Sequence, residues 1–178
     1  HAGHELSESV AARIRDDTLL GVWGADDPAD PLRMMRDSEA IRLTGAKRFA
    51  SGLGLVGAAV VTVAGEDGPQ MILAETGDPR RMDLSLWRMG GMRASNSGRY
   101  DFAGVAIEGD RLLGEPGAFL KEPHFEGGVW RYAAAHCGGA EALYEEMLEG
   151  LVTRERADDA HQQRRIARAA MEIETARL

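Results

Sequence analysis

The middle of the sequence constrains the fold most, because residues 41–107 carry short runs of Val, Ile, Leu, Thr and aromatic residues separated by glycine-containing turns. This texture, with a turn signal about every ten residues, predicts β-strands. We expect strands over residues 40–50, 58–64, 70–75, 84–89 and 99–107, with residues 65–68 (GEDG) as the hairpin loop between the second and the third. Since no helical segment separates them, an antiparallel barrel or sandwich is favoured over a parallel βαβ sheet.

Helical patterns flank this β region. Residues 5–20 place Val10 and Ile14 at helical spacing and predict a short helix. Residues 21–31 (GVWGADDPADP) combine prolines, glycines and aspartates, which is typical of a loop, here with one large aromatic side chain, Trp23.

The last third of the sequence is alanine-rich and helical in pattern. From Gly128 onward, apolar and small residues recur at steps of three and four, which predicts a helix with a buried stripe that includes Tyr132, Leu143, Met147 and Leu151. A second helix is expected from about residue 159 to the end. Two such helices bury only part of their apolar faces against each other, so we expect half of a bundle, completed by further chain or by a partner. The expected fold class is therefore α+β: a short N-terminal helix, an antiparallel β-barrel or sandwich, and helices of an incomplete up-and-down bundle.

Composition excludes several classes of function. The net charge is −8 and no Lys/Arg cluster occurs, so we expect no nucleic-acid partner. The longest apolar run, residues 53–64, is too short and too rich in glycine to span a bilayer, so we expect no membrane partner. The single cysteine, Cys137, fits a reducing compartment, and we predict a cytoplasmic protein in which this thiol is a packing residue. The chain begins at His1 rather than Met, which suggests a fragment or a natural truncation.

Three motif-like patterns carry little functional weight. Gly52, Gly54 and Gly57 match G-x-G-x-x-G, but the β-branched run that follows predicts a strand rather than the helix that pyrophosphate binding requires. His1 with His4, and Asp158 and Asp159 with His161, lack further ligands at a recognisable spacing, so we predict no metal site. No serine has a nucleophile-elbow context.

Residues 43–51 (LTGAKRFAS) are more informative. Phe49 lies near the end of a predicted strand, beside Ala50 and Ser51 and next to glycines that allow close approach of another group. One interpretation is a core phenylalanine followed by a turn serine. The other is an aromatic wall with a hydroxyl beside it, suited to a flat conjugated cofactor.

Four segments in this order resemble the acyl-CoA dehydrogenase family: residues 21–28 (GVWGADDP), 43–52 (LTGAKRFASG), 90–107 (GGMRASNSGRYDFAGVAI) and 125–140 (FEGGVWRYAAAHCGGA). The resemblance covers the chain from about residue 21 to residue 178. It implies the tail end of an N-terminal helical region at 1–20, a middle β-barrel domain that binds flavin at 21–117, and the first two helices of a C-terminal bundle at 118–178. FAD would lie between barrel and bundle, which would explain the incomplete bundle.

Transferred position by position, the resemblance implies a set of flavin contacts. Trp23 and Gly24 correspond to the loop that lines the flavin ring, although Gly24 offers only a backbone N–H where the family commonly has a polar side chain. Phe49 corresponds to the aromatic residue that stacks on the flavin, and Ser51, after Ala50, to the hydroxyl near flavin N5.

The resemblance also implies contacts from the helices. Glu126 matches an acidic position that contacts CoA, but the basic position three residues on is Val129, with Arg131 nearby instead. Arg154 matches an arginine that reaches the FAD phosphates of a neighbouring subunit, and it could equally be a solvated cation at a helix end. The departure at Val129 weakens the expectation of CoA binding, and Gly24, Gly128 and Val129 together favour a catalytically silent module.

The implied activity is FAD-dependent α,β-dehydrogenation of an acyl thioester by the complete enzyme. Relatives carry the catalytic base either where this chain has Gly128 or beyond residue 178, so no residue here is named as the base. The implied partners are acyl-CoA or a related thioester, an electron-accepting flavoprotein or oxygen, and further copies of the chain in a homodimer or homotetramer. The alternatives are a flavin monooxygenase of the same fold and a catalytically silent binding or assembly module.

Overall fold

The computed structural model describes residues 2–36, 40–123 and 126–177. It divides the chain into two compact units, which we call the β unit, residues 1–120, and the helical unit, residues 121–178. Some residues that take part in the predictions above lie outside the described part of the chain: His1, the side chain of His4, Phe125 and Leu178.

The β unit contains one α-helix and ten short strands among its described residues. They are α1 (Ala2–Arg15), β1 (Leu19–Trp23), β2 (Arg33–Arg36), β3 (Ile41–Thr44), β4 (Ala46–Ala50), β5 (Val56–Val63), β6 (Gln70–Glu75), β7 (Met82–Asp83), β8 (Gly98–Asp101), β9 (Val105–Ile107) and β10 (Leu112–Leu113). The helical unit contains α2 (Glu126–Thr153) and α3 (Ala160–Arg177). The predicted α+β class is confirmed.

The strands form three small sheets around one core. Their orders are β1-β5-β6-β10, β2-β3-β9 and β4-β8-β7. All strand pairs are antiparallel except β1 with β5, which is parallel. Leu43, Val61 and Tyr100, one from each sheet, are among the core residues that pack together. The predicted hairpin through residues 65–68 is confirmed, since β5 and β6 pair from Ala58 with Glu75 to Val63 with Gln70.

The predicted first helix extends too far. Helix α1 ends at Arg15, because Asp17 adopts a left-handed conformation with φ 56° and the N–H of Thr18 donates to the carbonyl of Arg13 at 2.9 Å. This is a Schellman-type C-cap with an aspartate at the position that glycine most often occupies. The chain then enters β1, so the predicted loop over residues 21–31 is wrong for residues 21–23.

The predicted strand over residues 40–50 is two strands in two different sheets, and Gly45 explains the break. Gly45 has φ +93°, and a Cβ atom there would lie 2.2 Å from the carbonyl oxygen of Pro31. A glycine is therefore required at this corner. The predicted strand over 99–107 is likewise divided into β8 and β9, with Gly104 at φ +73° between them.

The predicted strand over residues 84–89 is wrong. The strand ends at Asp83, whose carboxylate accepts a hydrogen bond of 2.8 Å from the N–H of Ser85. This Asx-type turn directs the chain out of the sheet. Leu86 is 73% exposed, so the alternating apolar pattern of this segment belongs to a surface loop.

The two predicted C-terminal helices are present, but the predicted buried stripe on α2 is partly wrong. Tyr132 and Leu143 are 75% and 73% exposed, whereas Met147 and Leu151 are partly buried. A single neighbouring helix covers only a narrow strip of α2, so apolar residues beside that strip remain exposed. Within the described residues, no helix is both long and apolar enough to cross a membrane.

Candidate functional site

Phe49 is a backbone outlier with an exposed ring. It has φ +52°, a left-handed conformation that is rare for a bulky residue, and it lies where the β4–β8 register shifts between Lys47 and Ala50. The residue is 59% exposed, so its interpretation as a core phenylalanine is wrong. Non-glycine residues held in this region cost of order 1–3 kcal/mol and cluster at functional sites.

Ser51 follows in the turn after β4, and two other residues hold it. The indole Nε1 of Trp23 donates a hydrogen bond of 3.0 Å to the backbone carbonyl of Ser51. The hydroxyl of Ser51 lies 2.7 Å from the hydroxyl of Ser97, and it is 3.5 Å from the carbonyl oxygen of Phe49. Both the backbone and the side chain of Ser51 are therefore fixed, while the residue remains exposed.

Trp23 itself is buried. Its side chain is 2% exposed and its ring lies 5.5 Å from the ring of Tyr100, centroid to centroid. Any contact of the indole face with a ligand is therefore excluded in this arrangement. Gly24 is exposed, and a Cβ atom built there would meet nothing closer than the Thr62 hydroxyl at 3.9 Å. The missing side chain leaves open space at this position.

A buried cation fixes the backbone that follows Trp23. Lys47 is fully buried, and its Nζ donates to the carbonyl of Gly24 at 3.0 Å, to Oδ1 of Asp26 at 2.7 Å and to Oγ1 of Thr62 at 3.4 Å. Three acceptors match the three hydrogens of an ammonium group. The loop between β1 and β2 is thereby tied to β4 and β5, which gives the Gly24 segment a defined position.

A pocket of about 180 Å³ opens beside Phe49. Its lining residues are Arg48, Phe49, Asp83, Leu86, Trp87, Met89, Ser97, Gly98 and Arg99. The guanidinium of Arg48 lies 5.4 Å from the centroid of the Phe49 ring, a cation–π distance. The carboxylate of Asp83 accepts hydrogen bonds from Ser85, and these hold its pKa below the ordinary value of 3.8. Asp83 is therefore a poor proton acceptor near neutral pH.

Arg99, in β8 beside the pocket, binds two aspartates of the loop before β2. Its Nε donates to Asp27 at 2.7 Å and its Nη2 to Asp30 at 2.8 Å, across about 70 residues of sequence. The hydrogen bond from Arg99, together with one from the N–H of Ala29, holds the pKa of Asp27 below its ordinary value. This ion-pair group ties the loop before β2 to β8.

The helical unit carries the other predicted site residues, all of them exposed. Glu126 begins α2, and the guanidinium of Arg131 lies 5.7 Å from the centroid of the Trp130 ring. Arg154 follows the end of α2, and its Nη1 donates to the carbonyl of Gly150 at 3.0 Å. Such a contact suits a helix-end cation.

Cys137 and Asp159 have structural partners. Cys137 is partly buried and donates to Glu141 at 3.5 Å; burial and that carboxylate raise the pKa of the thiol. Asp159 caps α3 by accepting from the N–H groups of His161 at 2.9 Å and Gln162 at 3.3 Å. The described residues contain no group of three or more His, Cys, Asp or Glu side chains that could hold a metal ion.

Sequence reasoning missed Lys47 and Ser97. A lysine in a strand ordinarily indicates a solvent-facing position, and nothing local to residue 47 shows that three acceptors surround it. Ser97 lies 46 residues from Ser51 in sequence, so its contact depends on the pairing of β4 with β8. The one sequence signal that could have pointed to Ser97 is its position within residues 90–107, the third segment that resembles the family.

Comparison with solved structures gives the class of fold. The chain has the acyl-CoA dehydrogenase fold over about 90% of its length. No family model matches the chain, and no curated protein matches it in sequence.

Three solved structures illustrate the likeness. Butyryl-CoA dehydrogenase from Megasphaera elsdenii is 20% identical, with 90% of this chain and 47% of that chain covered and a TM-score of 0.74. Glutaryl-CoA dehydrogenase from Mycobacterium smegmatis, in complex with FADH2, is 18% identical over 90% of this chain and 45% of that one, with a TM-score of 0.74. KijD3, in complex with FMN and a dTDP-linked amino sugar, is 18% identical over 88% and 41%, with a TM-score of 0.66. The chain thus spans less than half of the length of each.

Proposed function

We propose that this chain supplies the flavin-contacting β unit and part of the helical bundle of a flavin-dependent oxidoreductase. The observation that carries the proposal is the presence of Phe49, exposed and with a strained backbone, two residues before Ser51, whose hydroxyl is held by Ser97. An exposed aromatic face beside a polar hydrogen matches a flat heteroaromatic ring that has acceptor atoms at its edge. The likeness in fold to proteins whose structures contain FADH2 or FMN supports the same ligand class.

Each residue of this group has a defined task toward such a ring. Phe49 fixes the plane of the ring through its face, and Ser51 offers a hydroxyl to an edge nitrogen, N5. Gly24 and Ala50 contribute backbone only, since Gly24 has no side chain and the side chain of Ala50 is fully buried. Trp23 acts through the Ser51 carbonyl rather than through its own face.

The cofactor we propose is FAD, and the reaction is α,β-dehydrogenation of an acyl thioester by the complete enzyme. A bound flavin supplies the acceptor for the hydrogen removed from the β-carbon. The likeness in fold to butyryl-CoA and glutaryl-CoA dehydrogenases supports the choice of an acyl thioester. Arg154 is proposed to reach FAD phosphates, and Glu126 and Arg131 to contact the carrier of the acyl group. The same proposal includes assembly into a homodimer or homotetramer and a cytoplasmic location. It also includes transfer of electrons to a second flavoprotein or to oxygen.

A second candidate is oxygen-dependent flavin chemistry, in which no carboxylate base is needed. The observation that favours it is the pocket beside Phe49. Asp83, a carboxylate in the lining of this pocket, accepts hydrogen bonds from Ser85 that lower its pKa. The FMN in the KijD3 structure is consistent with this alternative.

The test is to purify the full chain, incubate it with FAD or FMN, remove free flavin and record the absorbance near 450 nm. A retained flavin that is bleached anaerobically by an acyl-CoA supports dehydrogenation. Bleaching only by an external reductase, with oxygen-dependent recovery, supports the second candidate. Protein that stays colourless overturns both and leaves a binding or assembly role.

A further inference from the structure

Three serine hydroxyls form a continuous chain beside Phe49. The Oγ atoms of Ser51 and Ser97 are 2.7 Å apart, and those of Ser97 and Ser95 are 2.9 Å apart. Ser97, in the middle, is 8% exposed, whereas Ser51 is exposed and Ser95 is partly exposed. Both ends of the chain therefore reach the surface and its centre does not.

The number of hydrogens restricts how this chain can be arranged. Each hydroxyl carries one hydrogen and accepts through two lone pairs, so Ser97 donates to only one neighbour. If Ser97 donates to Ser51, Ser95 donates to Ser97 and the hydrogen of Ser51 is left for the carbonyl of Phe49, 3.5 Å away, or for a ligand. If Ser97 donates to Ser95, Ser51 donates to Ser97 and the hydrogen of Ser95 points outward.

A third arrangement, in which both neighbours donate to Ser97, is unfavourable. It would leave the hydrogen of the buried Ser97 without an acceptor among the described residues, and an unpaired buried donor is costly. The chain therefore has two satisfied directions. In one of them Ser51 is a donor toward its exposed side, and in the other it is free to accept there.

We propose that the hydroxyls of Ser51, Ser97 and Ser95 form a reversible hydrogen-bond chain that lets Ser51 pair with a ring nitrogen in either of its protonation states. This inference rests on the proposed flavin function. N5 of oxidised flavin is an acceptor, whereas N5 of the reduced ring carries a hydrogen and is a donor. The three hydroxyls donate in one direction when the flavin is oxidised and in the opposite direction when it is reduced. No buried hydroxyl is left unpaired in either state. Ser97 and Ser95 are positioning residues, because they act on the ring only through Ser51.

The sign of the effect of Ser95→Ala follows from this count. Without the Ser95 oxygen, the direction in which Ser51 accepts would leave the Ser97 hydrogen unpaired. The variant therefore favours Ser51 as a donor, which stabilises oxidised flavin relative to reduced flavin. We expect the ratio of affinities for reduced and oxidised flavin to fall about tenfold, which lowers a two-electron midpoint potential by about 30 mV.

The experiment is an anaerobic reductive titration of the flavin-loaded full chain against a reference dye. Ser95→Ala should lower the potential, and Ser95→Thr, which keeps a hydroxyl, should retain the wild-type value. Ser97→Ala should give a smaller shift than Ser95→Ala, because the freed Ser51 hydroxyl can then rotate with water as its partner. Ser7→Ala, which removes a hydroxyl from exposed α1, is the matched control and should leave the potential unchanged.

The outcomes separate this inference from the function on which it rests. Wild-type protein that retains no flavin overturns the proposed function, and this inference with it. Wild-type protein that retains flavin, with an unchanged or raised potential in Ser95→Ala, overturns the hydroxyl chain alone. Thermal unfolding of each flavin-free variant shows whether the β unit remains folded.

Discussion

The indole Nε1 of Trp23 donates a hydrogen bond of 3.0 Å to the backbone carbonyl of Ser51, which joins the end of β1 to the turn after β4. A residue whose ring is buried in the core thus fixes the backbone of an exposed one. In this way the packing of the core determines the position of the Ser51 hydroxyl, which is the atom proposed to meet a ligand.

Trp23→Phe removes this hydrogen bond while keeping an aromatic ring in the core. We expect the free energy of unfolding to fall by about 1–3 kcal/mol, from the unpaired carbonyl and from the smaller ring. Urea denaturation followed by circular dichroism measures the change. Trp87→Phe is the control, because the Trp87 indole makes a longer bond of 3.3 Å to Arg93 in a surface loop. An equal loss in the two variants would contradict the role given to Trp23.

Phe49 separates stability from ligand binding, because its ring is mostly exposed and its backbone is strained. Phe49→Gly should raise the free energy of unfolding by about 1 kcal/mol, since glycine adopts a positive φ without steric cost. The same substitution should weaken flavin retention at least tenfold, because the stacking face is lost. Equilibrium dialysis with FAD measures the second effect. Unchanged FAD affinity in a folded variant would refute the stacking role.

The loops and sheets differ in how far they could be predicted from sequence. The β5–β6 hairpin follows from local alternation and one glycine-rich loop, and it is correct. The parallel pairing of β1 with β5 joins residues more than 30 positions apart, and the glycine-rich composition around Gly21 hid the strand. The exposed 84–89 loop imitates a strand because its apolar residues line a pocket rather than a core.

The candidate site shows the same division. Phe49 and Ser51 were found because adjacent residues carry the resemblance, and their roles remain predictions. Lys47 and Ser97 were missed because each acquires its function from partners distant in sequence, at separations of 15 to 46 residues. Local patterns carry no information on such contacts before the register of the strands is known.

Asp27 should make the stability of the β unit depend on pH in acid. Its folded-state pKa is lowered, chiefly by the hydrogen bond from Arg99 and also by that from the N–H of Ala29. The unfolded state thus binds protons more readily, so this stabilisation is present above the ordinary pKa of 3.8 and is lost as pH falls through the lower, folded-state pKa.

Asp27→Asn should therefore be less stable than wild type at pH 7, with a difference that shrinks below about pH 4. Thermal unfolding between pH 7 and pH 2 measures the difference. Asp67→Asn is the control, because it removes one negative charge from the exposed 65–68 loop. A difference between Asp27→Asn and wild type that stays constant over the whole range would contradict the assignment.

Lys47 should be the most sensitive polar position of the β unit. Its side chain is fully buried, and it bridges the Gly24 carbonyl, the Asp26 carboxylate and the Thr62 hydroxyl. The Asp26 side chain is 35% exposed, so removing the buried ammonium leaves a partly solvated carboxylate, together with the Gly24 carbonyl and the Thr62 hydroxyl, without their donor. Lys47→Met should lower the free energy of unfolding by about 3 kcal/mol, whereas Lys121→Met, at the exposed second lysine of the chain, should change it by less than about 0.5 kcal/mol.

The double variant Lys47→Met with Asp26→Leu separates the charge from the packing. If the ion pair is what matters, removing both charges restores part of the lost stability; if the double variant is less stable than Lys47→Met alone, the Gly24 loop depends on Asp26 for contacts other than the ion pair.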